Sequence, residues 1–193
     1  PTVLEHIPAV VGCLMDGCVD VRMAAVSSLK QFGPAAASHV PAVLRQLEDP
    51  DPHVRETATD VLSAFGPDLA QYVPLLALRL DHPDLHVRWA VVEVLKTVGE
   101  AAIPHLPTII AYLAHTNADV RRAAIESLRP LVRHGAEDHV PCILALLAHA
   151  SEHIRRTAVE VLKTAGASVR RHYPLLLEHL ASPEATVRRA AVE

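Results

Sequence analysis

The chain has 193 residues, of which 50% are hydrophobic, 3% aromatic and 21% charged, with a formal net charge of −4. This length and apolar content allow a continuous core, and no apolar run approaches the roughly 18 residues that a transmembrane segment needs. The charge is uneven, because residues 1–119 carry 7 basic and 14 acidic side chains whereas residues 120–193 carry 11 and 8. We therefore expect a folded chain without a transmembrane segment, whose two halves have different neighbours.

A pair made of valine or isoleucine followed by arginine recurs along the chain. Its six copies are separated by 33, 33, 33, 34 and 33 residues. A period of this size is typical of a solenoid of repeated helical units rather than of a single globular core. We call the first residue of each pair the repeat valine. The pairs are Val21-Arg22, Val54-Arg55, Val87-Arg88, Val120-Arg121, Ile154-Arg155 and Val187-Arg188.

A first helix is predicted in each repeat by a proline thirteen residues before the repeat valine. Proline fits the first turn of a helix, where its missing N–H would have no intrahelical partner. A leucine seven residues before the repeat valine is present in every copy and is predicted to face inward. The prolines are Pro8, Pro41, Pro74, Pro107, Pro141 and Pro174, and the leucines are Leu14, Leu47, Leu80, Leu113, Leu147 and Leu180.

A second helix is predicted to open at the repeat valine, after a short turn rich in Asp, Pro and His, whose side chains can cap a helix. Its buried stripe comprises the repeat valine, a small residue four positions later and a leucine eight positions later. A glycine twelve positions after the repeat valine is placed to end the helix in a left-handed turn. These glycines are Gly33, Gly66, Gly99 and Gly166.

The fourth repeat departs from this pattern. Val132 occupies the glycine position, Pro130 falls two residues after Leu128, and Gly135 comes three positions late. Proline removes a helical hydrogen bond and clashes with the preceding turn. We therefore expect the second helix of this repeat to stop early or to kink near Arg129, which would change the local curvature of the solenoid or, less favourably, provide a hinge.

The six copies of a pattern like V-R-x-x-A-x-x-x-L resemble the HEAT repeat family over the whole chain. The resemblance implies an all-α fold, a right-handed α-solenoid of stacked antiparallel helix pairs, whose second helices line the concave side and bind other macromolecules. We expect a single array with repeats at about residues 1–33, 34–66, 67–99, 100–133 and 134–166 and a truncated repeat at 167–193. The short period is also similar to that of HEAT-like bilin lyases and small hydroxylases.

The arginine after each repeat valine resembles a catalytic residue only when the repeat pattern is ignored. Carboxylates recur in the preceding turns, and the HEAT resemblance implies an Asp–Arg ladder that ties neighbouring turns together. We therefore interpret these arginines as structural. The ladder residues are Arg22, Arg55, Arg88, Arg121, Arg155 and Arg188.

Most of the 13 histidines fall into two groups. One group stands two residues before the helix-starting prolines, and we interpret it as a capping ladder along one edge. The other group lies in the turns between helices, where pairs such as His82 with His86 are close enough for adventitious metal binding. Helices pack about 8–10 Å apart, too far for repeat-equivalent histidines to share a metal with ligand distances of about 2.0–2.1 Å. We expect no metal site. The first group is His6, His39, His105, His139 and His172.

The sequence lacks the signature motifs of several enzyme classes. Hydroxylases built from HEAT repeats hold two irons through several His-Glu dipeptides, and this sequence contains none. A phosphate-binding P-loop, a Gly-x-Gly-x-x-Gly turn and a Ser/Cys–His signature are also missing from the sequence. We therefore expect no cofactor and no enzymatic activity, although a bilin-lyase-like role stays open because that resemblance offers no sharp motif.

Three cysteines, Cys13, Cys18 and Cys142, are too few for a disulfide scaffold, and their spacing matches no zinc pattern. We expect free, mostly buried thiols, which favours a reducing intracellular compartment. The sequence does not indicate the compartment more closely.

Paired arginines occur in three successive repeats and raise the question of nucleic acid binding. The second arginine of each pair stands four residues before a glutamate, with which it is expected to pair along the helix. The net charge of −4 and the low aromatic content of 3% also disfavour phosphate tracking and base stacking. Nucleic acid is therefore an unfavoured partner. The second arginines and their glutamates are Arg122 with Glu126, Arg156 with Glu160, and Arg189 with Glu193.

A partner site is predicted on the concave surface near the third and fourth repeats. Two residues after the repeat valine, at a position that should face solvent, the chain carries its one tryptophan, Trp89, followed in later repeats by arginines. Trp and Arg dominate interface hot spots. Apolar residues that wrap around two first helices add a second contact surface. The predicted partner-binding residues are Trp89, Arg122, Arg156, Glu93, Glu126, Leu78 and Leu146.

These features predict a non-catalytic protein–protein interaction scaffold, a structural or adaptor component of a larger assembly with other proteins as partners. The alternative is a small-ligand-binding or bilin-lyase-like HEAT protein, and a nucleic-acid-binding HEAT protein is a weaker one. Terminal solenoid repeats need polar outer faces, but the first helix is apolar and the last ends before its leucine position. We therefore expect an excerpt of a longer chain, with further repeats or a partner at both ends.

Overall fold

A computed structural model describes residues 3–133 and 137–193, and these residues form helices and turns without a strand. Short helices of six to eight residues alternate with longer helices of eight to sixteen residues. The helices are α1 (Ile7–Gly12), α2 (Val19–Phe32), α3 (Val40–Arg45), α4 (Pro52–Phe65), α5 (Val73–Leu78), α6 (Leu85–Val98), α7 (Leu106–Ala111), α8 (Ala118–Arg133), α9 (Val140–Ala145), α10 (Glu152–Ala165), α11 (Tyr173–Leu180) and α12 (Ala185–Val192).

The chain divides into two compact units, Pro1–Ala101 with α1 to α6 and Ala102–Glu193 with α7 to α12. Within the first unit, α4 packs against both α2 and α6, and each of these three helices also packs against the short helix before it. Within the second unit, α10 packs in the same way between α8 and α12. Each unit is thus a stack of helix pairs, which confirms the predicted all-α repeat fold.

The short first helices begin one residue before each marker proline, so that proline occupies the first turn as predicted. From α1 to α9, each first helix tightens after six residues into a three-residue 3-10 turn. Such tightening is common where the last carbonyls of a helix have no intrahelical partner. The 3-10 turns are Cys13–Met15, Gln46–Glu48, Arg79–Asp81, Tyr112–Ala114 and Leu146–Ala148.

Glycine ends the second helix in four repeats. Gly66, for example, has φ +50°, a left-handed conformation that a residue with a Cβ rarely adopts. A seven-residue 3-10 segment then leads to the next first helix. The predicted helix ends are therefore confirmed. The 3-10 segments are Gly33–His39, Gly66–Tyr72, Gly99–His105 and Gly166–His172.

The predicted inward stripes form the core of each unit. Leu47, Leu80 and Leu113, seven residues before the repeat valine, are fully buried, as are Leu62 and Leu95 at the position eight residues after it. Burying such a side chain completely contributes about 1.5–3 kcal/mol. The stripe is less covered at the two ends of the array, where Val21 is 37% exposed and Leu180 is half-buried.

The fourth repeat corrects one expectation. Helix α8 does not stop near Arg129 but continues through Pro130 to Arg133, and it is the longest helix of the described chain. Leu131 and Val132 are fully buried beyond the proline, and we attribute the continuation to this packing, which offsets the hydrogen bond that proline removes. Gly135, which was expected to end this repeat, lies outside the described residues.

Residues 52–81 form one stretch that is long and apolar enough, by composition, to be a candidate membrane span, with a mean hydropathy of 1.3. In the structure this stretch is interrupted at Gly66 and consists of α4, a 3-10 segment and α5. The 14 residues of α4 are fewer than the roughly 20 that span a bilayer. The stretch is weak evidence for a membrane helix.

The core assignment predicts a sharp contrast between two leucines of the first unit. Leu95→Ala removes a fully buried side chain and is expected to lower the free energy of unfolding by about 2–5 kcal/mol. Leu78→Ala is the matched control, because Leu78 is 62% exposed, and its effect should stay within about 0.5 kcal/mol. Urea unfolding followed by circular dichroism measures both, and equal losses in the two variants would contradict the assignment.

Candidate interaction surface

The arginine after each repeat valine folds back over the turn that precedes its own helix. Arg55 shows the arrangement: its Nη1 donates to the carbonyl oxygens of Asp49 and Pro50, at 2.7 and 3.0 Å. Both carbonyls lie after the last turn of the first helix, where acceptors lack intrahelical partners and a positive charge is favourable. We call this contact the arginine clamp. It is present for Arg22, Arg55, Arg88, Arg121, Arg155 and Arg188, with distances of 2.6–3.4 Å.

The expected Asp–Arg ladder therefore has a different basis. The contact common to all six arginines is with backbone carbonyls of their own turn, not with a carboxylate of the neighbouring turn. Arg22 makes both contacts, because its Nε and Nη2 also donate to the two carboxylate oxygens of Asp49 in the next repeat, at 2.7 and 2.9 Å. Later repeats hold histidine or serine at the position of Asp49, so the same carboxylate is not available there.

The side chain five residues before the repeat valine caps the turn from within. In each repeat it accepts a hydrogen bond from the backbone N–H two residues later, at 2.8–3.2 Å. Aspartate fills this role in the first two repeats, serine in the last, and the Nδ1 atom of a histidine ring in the others. These histidines are thus turn caps. The capping residues are Asp16, Asp49, His82, His115, His149 and Ser182.

The histidines before the first helices behave differently from the expectation. None of the five makes a side-chain capping bond to its own helix. An N-cap side chain reaches the helix N–H groups from an extended backbone, whereas His6, for example, has φ −93° and ψ −9°. The ring of His172 instead places Nε2 at 2.8 Å from the carbonyl oxygen of Glu137 in the preceding repeat. Tyr72 makes the equivalent contact to Ala37 at 2.9 Å.

The cysteines correct a second expectation. Cys13, Cys18 and Cys142 are all exposed and free, not buried. Cys13 and Cys142 lie on the outward side of first helices and Cys18 precedes α2 in a turn, so none occupies a position of the inward stripes. Among the residues that the structure describes, no group of three or more His, Cys, Asp or Glu side chains is placed to hold a metal ion.

The predicted partner residues lie on solvent-facing positions of the second helices. In the first unit, α6 carries Trp89, which is half-buried, and Glu93, which is exposed. In the second unit, Arg122 on α8 and Arg156 on α10 are exposed, and Glu126 on α8 is half-buried.

The charge pairs on the second unit differ from the predicted helix pairs. Arg189 pairs with Glu193 at 3.1 Å as expected, but Arg122 pairs with Asp119 one turn earlier, at 2.5 Å. The carboxylates of Glu126 and Glu160 both bind Arg129, at 3.1 and 2.5 Å. Arg129 therefore bridges α8 and α10. The sequence interpretation missed both contacts, although the spacing of three residues could have indicated the pair with Glu126 within α8.

Arg156 is consequently left without its expected partner. Its predicted partner, Glu160, is engaged by Arg129 of the preceding repeat. No ion pair of Arg156 is found within the described parts of the chain. Arg156 is thus an exposed guanidinium of the second unit whose charge is not balanced by an ion pair in the described chain.

Two grooves lie between successive second helices of the second unit. The groove between α8 and α10 has a volume of about 430 Å³ and includes Arg122, Ile125 and Glu160 in its lining. The groove between α10 and α12 has about 400 Å³ and includes Arg156 and Val159 at the equivalent positions. The same combination of arginine, branched apolar residue and glutamate therefore recurs one repeat apart.

The two leucines predicted for first-helix contacts are placed unequally. Leu78 at the end of α5 is 62% exposed and Leu75 on the same helix is 39% exposed. Leu146, which follows α9, is half-buried. An exposed apolar surface therefore exists on the first helix of the third repeat, whereas Leu146 is partly covered within its own unit.

Comparisons with known proteins identify the class. The family model described as HEAT repeats matches residues 7–77, 40–111 and 106–193, which together cover most of the chain. The chain therefore belongs to the HEAT-repeat family, as the resemblance implied. A comparison with curated proteins finds no match.

Solved structures show the same fold at low sequence identity. The N-terminal domain of MAST/Orbit is 16% identical with a TM-score of 0.63, over 94% of this chain and 92% of that chain. The TOG domain of C. elegans Zyg9 is 12% identical with a TM-score of 0.62, over 100% of this chain and 86% of that chain. A HEAT-like repeat protein from Thermococcus onnurineus NA1 is 14% identical with a TM-score of 0.50, over 97% and 85%.

The ion pair between Arg22 and Asp49 contributes to a lowered pKa of the Asp49 carboxyl group. Burial alone would raise the pKa of Asp49, but the hydrogen bonds from Arg22 and from the backbone N–H of Asp51, with the charges of Arg22 and Arg55, hold it below its usual value. A carboxylate whose pKa is lowered by folding stabilises the folded state above its unfolded pKa, about 3.9. That contribution is lost as the pH falls through the folded-state pKa.

This linkage predicts the behaviour of Asp49→Asn. The variant should melt at a lower temperature than the parent at pH 7, because its amide cannot form the ion pair with Arg22. The difference should shrink as the pH falls below about 3.9 and through the lower folded-state pKa, where the folded parent also loses the charge. Asp60→Asn, at an exposed position of α4, removes the same charge and should not show this loss at pH 7. A constant difference between Asp49→Asn and the parent across the pH range would contradict the account.

Proposed function

We propose that this protein is a non-catalytic protein–protein interaction scaffold, a structural or adaptor component of a larger assembly. The chain belongs to the HEAT-repeat family, whose fold is typical of protein-interaction solenoids. In this proposal the partner proteins bind along the solvent-facing side of the second helices. The partner-binding residues are Trp89, Glu93, Arg122, Glu126 and Arg156, with Leu78 as a second contact.

The observation that carries the proposal is the pair of repeat-equivalent grooves in the second unit. Each groove is lined by residues from two neighbouring second helices and combines exposed charges with a branched apolar floor. Grooves that recur at a repeat spacing suit a chain that follows several helices, and mixed apolar and charged linings are typical of protein partners. Interface hot spots are enriched in the Arg and Trp side chains found at these positions.

The charge arrangement supports a protein partner over nucleic acid. In the second unit, Asp119 binds Arg122, Glu160 binds Arg129 and Glu193 binds Arg189, so carboxylates lie among the arginines of these helices, although Arg156 has no such contact in the described chain. A phosphate backbone presents regularly spaced negative charges and is bound by rows of free cations. Here such a backbone would meet carboxylates between the arginines.

The proposal predicts where partners will be cross-linked. A photoreactive benzoylphenylalanine is placed at Trp89, at Arg122 or at Arg156 in the protein expressed in its own cells, and adducts are identified by mass spectrometry. Protein adducts should form at one or more of these positions and be several times fewer at two control positions. The controls are Gln71 and Arg170, which are exposed on 3-10 segments rather than on second helices.

Three outcomes would contradict this prediction. Equal adducts at the control positions would place the partner elsewhere on the surface. Adducts that are destroyed by nuclease would favour the nucleic-acid alternative. A chromophore or other small ligand that co-purifies in stoichiometric amount would favour the bilin-lyase-like alternative.

A further inference from the structure

The outward side of α4 carries an uncompensated pair of like charges. Glu56 and Asp60 are both exposed and stand four residues apart, so they are neighbours on the helix surface. Like charges at this spacing repel each other and destabilise a helix. In the portions of the chain that the structure describes, no ion pair involves Glu56 or Asp60.

Several basic side chains of the same unit are engaged by other groups, and one of them, Lys96, binds Glu93 on α6 at 2.8 Å. Arg55, the neighbour of Glu56 in sequence, clamps the preceding turn. Arg22 binds Asp49 and Arg79 binds Glu48. The two carboxylates on α4 are therefore not relieved by the clamps that hold the fold together.

Helix α6 carries an aromatic side chain at the position that is repeat-equivalent to Glu56. It packs directly against α4, and its residues at the positions equivalent to Glu56 and Asp60 are Trp89 and Glu93. Trp89 is half-buried, so part of its ring is held by the unit and part faces solvent. We call Glu56, Asp60, Trp89 and Glu93 the α4–α6 surface.

The chemistry of this surface selects a cation. The face of a tryptophan ring attracts a guanidinium or ammonium group within about 6 Å, and neighbouring carboxylates add to that attraction. The whole unit is also negatively charged and attracts cations, since residues 1–101 carry 13 acidic and 7 basic side chains. Arginine fits better than lysine, because its planar guanidinium can stack on the ring and bind a carboxylate through two parallel hydrogen bonds.

We propose that the α4–α6 surface binds an arginine-bearing basic segment of a partner protein. An arginine of that segment lies over Trp89, and its guanidinium is held by Glu56 and Asp60. This inference rests on the proposed function, because it names the chemistry of one partner of the scaffold. It assigns the acidic first unit to basic segments and leaves the partner of Arg122 and Arg156 in the second unit unspecified.

The test uses Trp89 as its own probe, because it is the one tryptophan of the chain. The whole protein is titrated with a short arginine-rich peptide and, separately, with the same peptide in which citrulline replaces arginine. Citrulline keeps the shape of the side chain but has no charge. The arginine peptide should change the tryptophan fluorescence in a saturable way, and the citrulline peptide should not.

Matched variants separate local recognition from the general field of the unit. Glu56→Gln with Asp60→Asn should weaken the arginine peptide by about tenfold or more. Asp68→Asn with Glu100→Gln removes the same charge from two exposed positions of the same unit, on 3-10 segments, and should change the affinity by less than about threefold. Trp89→Leu, measured by calorimetry, should weaken binding by about fivefold or more, with circular dichroism to show that the helices remain.

Several results would overturn the inference. Equal loss of affinity in the two double variants would mean that only the overall charge attracts the peptide. Equal binding of the citrulline peptide would exclude cation recognition. No fluorescence change with either peptide, while partner proteins are still cross-linked at Arg122 or Arg156, would reject this inference and leave the proposed function standing; failure of both experiments would reject both.

Discussion

The arginine clamp is the contact on which the geometry of every repeat depends. A first helix of six residues ends in a 3-10 turn with carbonyl oxygens that no helix can satisfy. The arginine of the following helix donates to the two backbone carbonyls that come directly after this 3-10 turn, and so ties the end of one helix to the first turn of the next. Because the clamp uses backbone acceptors, the turn sequence can vary between Asp-Pro-Asp, His-Pro-Asp and Ala-containing versions without loss of the contact.

The outward positions of the second helices differ in charge and polarity between repeats, whereas most buried positions stay apolar. The residue two positions after the repeat valine changes from methionine through glutamate and tryptophan to arginine along the chain, while leucines such as Leu62 and Leu95 repeat without change and are fully buried. Variation in charge and polarity on the solvent side suits the proposed interaction scaffold, because partner contacts can be changed there without disturbing packing. The acidic α4–α6 surface and the arginine-lined grooves of the second unit both lie on solvent-facing positions of second helices.

The sequence allowed the repeat period, the helix starts at proline, the helix ends at glycine and the inward leucines to be predicted, because each follows from local backbone chemistry or from hydrophobic periodicity. It did not allow the partners of polar side chains to be predicted. Arg129 takes Glu160 from another helix, and His172 reaches a carbonyl of the preceding repeat, since both contacts depend on how helices stack. Pro130 was misjudged for a related reason: the local rule against proline in a helix is overridden where Leu131 and Val132 are packed into the core.

The importance of the clamp can be measured most directly by comparing Arg55→Gln with Arg45→Gln in urea unfolding and amide hydrogen exchange. Arg45 is exposed on the first helix of the same repeat, so both variants lose one positive charge, but only Arg55→Gln removes hydrogen bonds to the carbonyls of Asp49 and Pro50. The account predicts a loss of about 1.5–3 kcal/mol per charged hydrogen bond for Arg55→Gln, with faster exchange at the start of α4, and almost no change for Arg45→Gln. Equal stability and equal exchange in the two variants would contradict it.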